Sequence, residues 1–273
     1  MNMLLKETTK LLREGGLSTM ATFLERWCKN PKNLLKSNVE CIHAMALDFS
    51  QGKQVRRTDQ FLLRSGFAPT VALANVWDDP ARGLSVSTLA NLKTGTWIEA
   101  GIPVVITGEH GSGKTFLAAA LAREAALTRR VVRYKVLTQI LDQLDDERSD
   151  KAERLRRTLC NASLLVLDHV GEDVISARGG TFLRELVDER HRRQRATVFV
   201  SSRHPKDWVH AFENPDTGHA IATRVIDHAL MIELRKPQPK ATDMKSATKV
   251  RKKPEAKRGD ARGQRRARRV ARA

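Results

Sequence analysis

The stretch Gly108-Glu109-His110-Gly111-Ser112-Gly113-Lys114-Thr115 is the feature that most narrows what this chain can fold into. It has the form G-x-x-x-x-G-K-[ST], which reads as a phosphate-binding loop joining a strand to a helix. The context agrees: Val104-Val105-Ile106-Thr107 is a short apolar strand before it, and an Ala/Leu-rich helix runs from Lys114 to Leu127. The glycines let the backbone close around phosphate oxygens, while the loop N–H groups and the helix N-terminus supply donors and positive potential. Lys114 is placed to reach the β- and γ-phosphates and Thr115 to ligate magnesium. Gly108, Glu109, His110, Gly111, Ser112 and Gly113 complete the cradle, and the expected cofactors are ATP and Mg2+.

Further strands are expected at Val131–Tyr134, Leu164–Leu167, Thr197–Val200 and Ala229–Leu234. Helices are expected between them, at Leu137–Leu144 and along the face Phe182, Leu183, Leu186 and Val187, with a polar stretch from Leu144 to Arg157. Apolar strands alternating with helices predict an α/β fold, a P-loop nucleotide-hydrolase parallel sheet flanked by helices on both faces. Asp168 ends the third strand, and an aspartate there is costly to bury without a partner. The partner expected is the magnesium shell, shared with Thr115. His169 follows, where ATPases of this type usually carry a Glu that orients the attacking water. Imidazole can accept a proton, but the substitution reads as one that slows hydrolysis, with Glu172 and Asp173 as carboxylates nearby.

Residues 1–65 read as a small helical module. Leu4, Leu5, Leu11 and Leu12 lie a heptad apart, and Ser18 is placed to cap a second helix bearing Met20, Phe23, Leu24 and Trp27. Asn30-Pro31-Lys32 ends that helix. Arg56–Phe67 reads as a basic helix closing at Gly66, with Arg56, Arg57 and Arg64 either on an ordinary solvated face or adding a second basic contact beside that of the tail. Residues 66–235 form the nucleotide-binding core, which opens with a helix over Leu84–Glu99. Trp27, Trp77, Trp97 and Trp208 are expected in cores or interfaces.

The formal net charge is +18, of which +13 falls within residues 235–273. Such an excess points to a polyanionic partner. Residues 236–273 have almost no large apolar residues, so a disordered basic tail is expected. It would either neutralise DNA phosphates or act as a solubilising segment. Cys28, Cys41 and Cys160 are scattered and odd in number, which suits a reducing cytoplasm rather than a disulfide framework. No apolar run is long enough to span a membrane.

Several segments together resemble the IstB-like ATPases that assist insertion-sequence transposases, relatives of the DnaC-type helicase loaders. They are Gly16-Leu17-Ser18-Thr19-Met20-Ala21, Gly66-Phe67, Trp97-Ile98-Glu99, Leu165 to Gly171, Thr197 to Ser202 and Thr223 to His228. The resemblance implies an AAA+ core that assembles as a homo-oligomer on DNA in an ATP-dependent way and works with a transposase, or alternatively with a replicative helicase. It also implies that Arg224 contacts nucleotide across a subunit interface, as a catalytic group alongside Asp168 and His169. The family's Thr-Thr-Asn after the fourth strand is replaced here by Ser201-Ser202-Arg203, so that Arg203 either binds phosphate or points to solvent.

Overall fold

In the computed structural model, which describes residues 3–76, 80–146 and 149–236, the five apolar runs become strands. They are β1 (Val104–Gly108), β2 (Val132–Val136), β3 (Leu164–Asp168), β4 (Ala196–Val200) and β5 (Leu230–Leu234). They form one parallel sheet in the order β2-β3-β4-β1-β5. The inner strands β1, β3 and β4 are covered on both faces, so their sequences are apolar almost without interruption. The edge strands alternate instead: Val132 and Tyr134 are buried around an exposed Arg133, and Ile232 and Leu234 flank an exposed Glu233. Trp77 and residues 237–273 of the basic tail named in the sequence fall outside the described residues.

Helix α6 (Lys114–Leu127) covers the sheet face formed by Val104, Ile106, Val166 and Val198. Residues 71–76 and 84–99 join it there, including α4 (Val86–Thr94) and α5 (Thr96–Glu99). The opposite face, bearing Val105, Leu165, Leu167 and Phe199, receives α7 (Leu137–Asp146), α8 (Ser149–Cys160), α9 (Ala177–Arg192) and α10 (Pro215–Ile226). Arg190 of α9 is buried inside this layer. Its guanidinium donates to Thr197 Oγ1 at 2.9 Å, Leu159 O at 2.6 Å and Ala162 O at 2.9 Å, and also to Ala196 O. It thereby ties α8 and α9 to the starts of β3 and β4. Burial pulls its pKa down to about 10.

Four local expectations are corrected. The polar stretch after Leu144 includes a helix, α8, whose Leu159 and Cys160 reach the core. The expected helix over Leu84–Glu99 is broken at Gly95, whose φ of 71° ends α4 in the left-handed region. The expected helix over Arg56–Phe67 is the last part of a 27-residue helix, α3 (Asn38–Arg64). Ser37 starts it with a capping box, donating and accepting with Glu40 at 2.7 and 3.3 Å. Ser18 does not cap α2 (Ser18–Lys29) but is its first helical residue, because Leu17 takes the capping position without a side-chain bond.

Upstream of α2 lies α1 (Met3–Glu14), held to it by the Arg13–Glu25 ion pair at 2.8 Å. Arg26 pairs with Asp48 of α3 at 2.7 Å. Helix α3 lies against α6: Gln54 Nε2 donates to Ala126 O at 2.6 Å, and Phe61 packs on the core. Among the described residues no helix is long and apolar enough to cross a membrane.

Candidate nucleotide-binding site

The phosphate loop leaves the carboxyl end of β1 in the conformation its glycines permit. Gly108, Gly111 and Gly113 have φ of 138°, 80° and 96°. A side chain on Gly108 would lie 2.0 Å from Leu234 O on β5, so the loop can enter only as glycine. Gly113 caps α6 in the left-handed region and turns the helix N-terminus toward the loop. Ser112 Oγ is buried beside Gly108 and has no hydrogen-bond partner among the described residues, and Ser112 O accepts from Arg82 Nη2 at 3.0 Å.

Lys114 is buried, and its ammonium donates to Gly108 O at 2.7 Å and Glu109 O at 3.0 Å. Its side chain thus lies folded over the loop it belongs to. Desolvation lowers its pKa, opposed by the charges of Glu172 and Asp168. One residue on, Thr115 Oγ1 donates to Asp168 Oδ2 at 3.1 Å. Asp168 is only 3% exposed. Its other oxygen accepts from His169 N at 2.9 Å, and Tyr134 Oη donates to Oδ2 as well. Burial first, then the Asp168 charge, pushes the Tyr134 phenol far above its ordinary value.

The site residues named from the sequence separate into two places. Residues 108–115, Asp168, His169 and Arg203 all lie at the carboxyl edge of the sheet. His169 is in the left-handed region with φ of 63°, and its Nδ1 is 3.1 Å from Glu172 Oε2. Glu172 is fixed from its other oxygen by Ser202 N at 2.7 Å, whereas Asp173 is exposed. Arg203 donates its N–H to Ser201 Oγ at 3.0 Å and leaves its side chain exposed. Arg224 lies at the opposite edge. It lines a small hollow with Gly101 and Pro103, which precede β1, and its Nε donates to Asp188 Oδ1 at 3.1 Å. The full length of a strand, about 15 Å, separates that edge from the phosphate loop of the same chain.

Sequence reading missed Tyr134 and Arg82. A signal for the first existed: Tyr134 is the chain's only tyrosine, and it falls at an inward position of an alternating strand. Parallel pairing sets Tyr134 opposite Val166, two residues before Asp168. Arg82 had no such signal, because its approach to the loop depends on residues 82–83 running beside β5, where Arg235 N donates to Arg82 O at 2.9 Å.

The donor set suits a polyphosphate with a hard divalent cation. An ammonium and a helix N-terminus face the loop, and a buried carboxylate stands beside a hydroxyl. Magnesium typically takes one or two carboxylates and completes its shell with water and phosphate oxygens. Among the described residues there is no cluster of three or more His, Cys, Asp or Glu of the kind an all-protein metal site would need.

Residues 10–244 match the family model described as IstB-like ATP binding protein. The chain belongs to this family. A relative from Sinorhizobium fredii, named an insertion sequence ATP-binding protein, is 28% identical over 238 residues, covering 85% of this chain and 94% of the relative. Another from the same organism is 32% identical over 154 residues, 56% of this chain and 62% of the relative, so that match spans less than two thirds of its length. The IstB-like core also shares its fold with AMPPCP-bound DnaA from Aquifex aeolicus. The TM-score is 0.51 at 18% identity, over 67% of this chain and 55% of the other.

Proposed function

We propose that this chain is an ATP- and magnesium-dependent helper of a DNA transposase, which assembles as a homo-oligomer on double-stranded DNA and assists target selection or strand transfer. The observation that carries this reading is the convergence of Lys114, Thr115 and Asp168 at one sheet edge, in a family whose relatives are named insertion sequence ATP-binding proteins.

In this reading the N–H groups of residues 109–115 hold the phosphate chain. Lys114 exchanges its bonds to Gly108 O and Glu109 O for β- and γ-phosphate oxygens. Thr115 and Asp168 hold magnesium, which neutralises charge on the phosphates when bound. Tyr134 keeps the Asp168 carboxylate oriented toward Thr115. Arg203 stands at the same edge as a cation for the γ-phosphate. Glu172 orients the His169 ring, and with imidazole in place of a carboxylate, binding and assembly carry the function while turnover is slow. Arg224 acts in trans. It lies at the edge away from its own loop, so the phosphates its guanidinium fork can meet are a neighbour's.

The test is nucleotide-dependent assembly. Wild-type protein should sediment with duplex DNA when ATP and magnesium are present. It should release phosphate well below the roughly 10 s⁻¹ typical of enzymes. Lys114→Ala should bind a fluorescent ATP analogue about 100-fold more weakly, as expected for loss of a charge-assisted contact, and should stay unassembled with its circular dichroism unchanged. Equal analogue binding by the variant would remove the assignment of the loop. Assembly on DNA that ignores nucleotide, or capture of a replicative helicase in place of a transposase, would remove the helper role. Arg224→Ala and Lys114→Ala subunits, inactive alone, should regain part of the activity when mixed, and the absence of rescue at every ratio would count against action in trans.

A further inference from the structure

The sequence puts Arg56, Arg57 and Arg64 on one basic helix, α3, as a solvated face or as a second basic contact. Its packing divides these residues differently. Arg56 turns toward α2, with its Nη1 3.5 Å from Thr19 Oγ1. Lys53, Arg57 and Arg64 are spaced i, i+4 and i+11, which brings all three within about 40° of one another around the helix. They are exposed, and none of them is ion-paired among the described residues. Beside them, at the junction of α3 with the end of α6, is a cleft of about 280 Å³ lined by Phe49, Ser50, Lys53, Gln54, Arg57 and Arg129.

Arg129 is the decisive residue. Helix α6 ends in a Schellman motif: Arg129 N donates to Ala126 O at 3.0 Å and Arg130 N to Ala125 O at 3.2 Å. The position after the cap takes a left-handed backbone and is usually glycine. Here it is arginine, with φ of 63°. The strained backbone aims a guanidinium across the cleft at the Ser50 hydroxyl on α3. The neighbouring Arg130 is spent on Glu99 at 2.6 Å, but Arg129 has no carboxylate partner among the described residues. A charge kept where the backbone favours glycine points to a use for the charge.

We infer that Lys53, Arg57, Arg64 and Arg129 form a groove for the phosphate backbone of duplex DNA, built from residues other than those of the nucleotide site. From Lys53 to Arg64 the stripe is about 16 Å long, which equals the axial rise of roughly five base pairs of duplex DNA. A small anion would need converging cations, whereas a line of cations suits a polymer. The groove lies at the far end of α6, about 20 Å along the helix from Lys114. It reads no bases, because phosphate contacts carry no sequence information. This inference rests on the DNA-bound assembly proposed above.

The experiment measures affinity of the full-length chain for a short fluorescent duplex as salt is raised. The variants are Arg129→Gly alone, and Lys53→Ala, Arg57→Ala and Arg129→Gly combined. Each lost phosphate contact should flatten the log–log slope by about 0.9. The triple variant should therefore lose about 40-fold less affinity than wild type between 50 and 200 mM salt, by the same relation. Arg129→Gly should weaken binding while its Tm holds or rises, since glycine relieves the left-handed residue. Affinity for a fluorescent ATP analogue should not change in either variant. Slopes identical to wild type in both variants would overturn the groove and leave the proposed function standing. A fall in Tm for Arg129→Gly would make the residue a structural clamp and would also overturn the groove. Failure of wild type to bind duplex DNA at all would instead overturn the reading on which the groove rests.

Discussion

The α/β core and the three N-terminal helices are built on opposite principles. In the core, Val104, Val105, Ile106, Leu164, Leu165 and Val166 are all fully buried, and every described strand has a hydrogen-bonded neighbour. In α1 the only buried residue is Thr9, and α3 buries only Thr58 and Leu62 along 27 residues. Met3, Leu4, Leu11, Val39, Ile42 and Leu47 are exposed, and the links between these helices include surface ion pairs such as Arg13–Glu25 and Arg26–Asp48. Exposed pairs of that kind contribute about 0–1 kcal/mol each. The core can therefore hold a buried lysine and a buried aspartate in fixed geometry. The N-terminal helices cannot fix groups so tightly, but they offer surface: a basic stripe along α3 and an apolar face on α1.

The contrast is sharpest at two leucines. Leu183 of α9 is 0% exposed and Leu11 of α1 is 61% exposed. Leu183→Ala should destabilise the protein by about 2–5 kcal/mol, through lost transfer energy and the cavity left behind. Urea denaturation followed by circular dichroism would measure it. A loss below about 1 kcal/mol would mean that the core tolerates voids as loosely as the helices do.

Tyr134→Phe tests whether the tight geometry extends into the site. The variant keeps the ring against Phe67, whose centroid is 4.7 Å away, and removes only the hydroxyl on Asp168. A hydrogen bond to a buried carboxylate contributes about 1.5–3 kcal/mol, and the same denaturation curve should show a loss of that size. Magnesium with an ATP analogue should recover part of it, because a cation at Asp168 would neutralise the carboxylate charge that the phenol had partly offset. A Tm that moves equally with and without ligand would place Tyr134 outside the site.

Leu11→Ala is the smallest expected effect, within about 0.5 kcal/mol for an exposed position. A larger loss in the same experiment would show that α1 is covered in solution, and the distinction between the two regions would then weaken.

The layout of the core was legible in the sequence because its signals are local. Buried parallel strands need unbroken apolar runs, and the phosphate loop needs its glycines in fixed order, so both strand order along the chain and the cradle could be written down directly. The start and end of α6 at Lys114 and Leu127 follow from the same composition. Helix α8 was harder to see, since its charged surface outweighs the few residues that reach the core. The continuity of α3 was hidden for a related reason: the helix buries so little that no apolar stripe marks it.

By itself the sequence determined that a phosphate loop follows one strand, that Asp168 ends another, and that the chain carries a large basic excess. Tertiary structure decided which strands are neighbours, and that choice makes the chemistry. Pairing β2 with β3 brings Tyr134 onto Asp168, and α6 carries Thr115 to the same carboxylate. Arg224 lies beside Pro103, at the sheet edge opposite its own phosphate loop, and packing α3 on α6 brings Arg129 to Lys53 and Arg57. The physical reason is range. Backbone conformation and hydrophobic period are set within a few residues, whereas hydrogen bonds and charge clusters join groups that are distant in the chain and meet only once the sheet and its helices have closed.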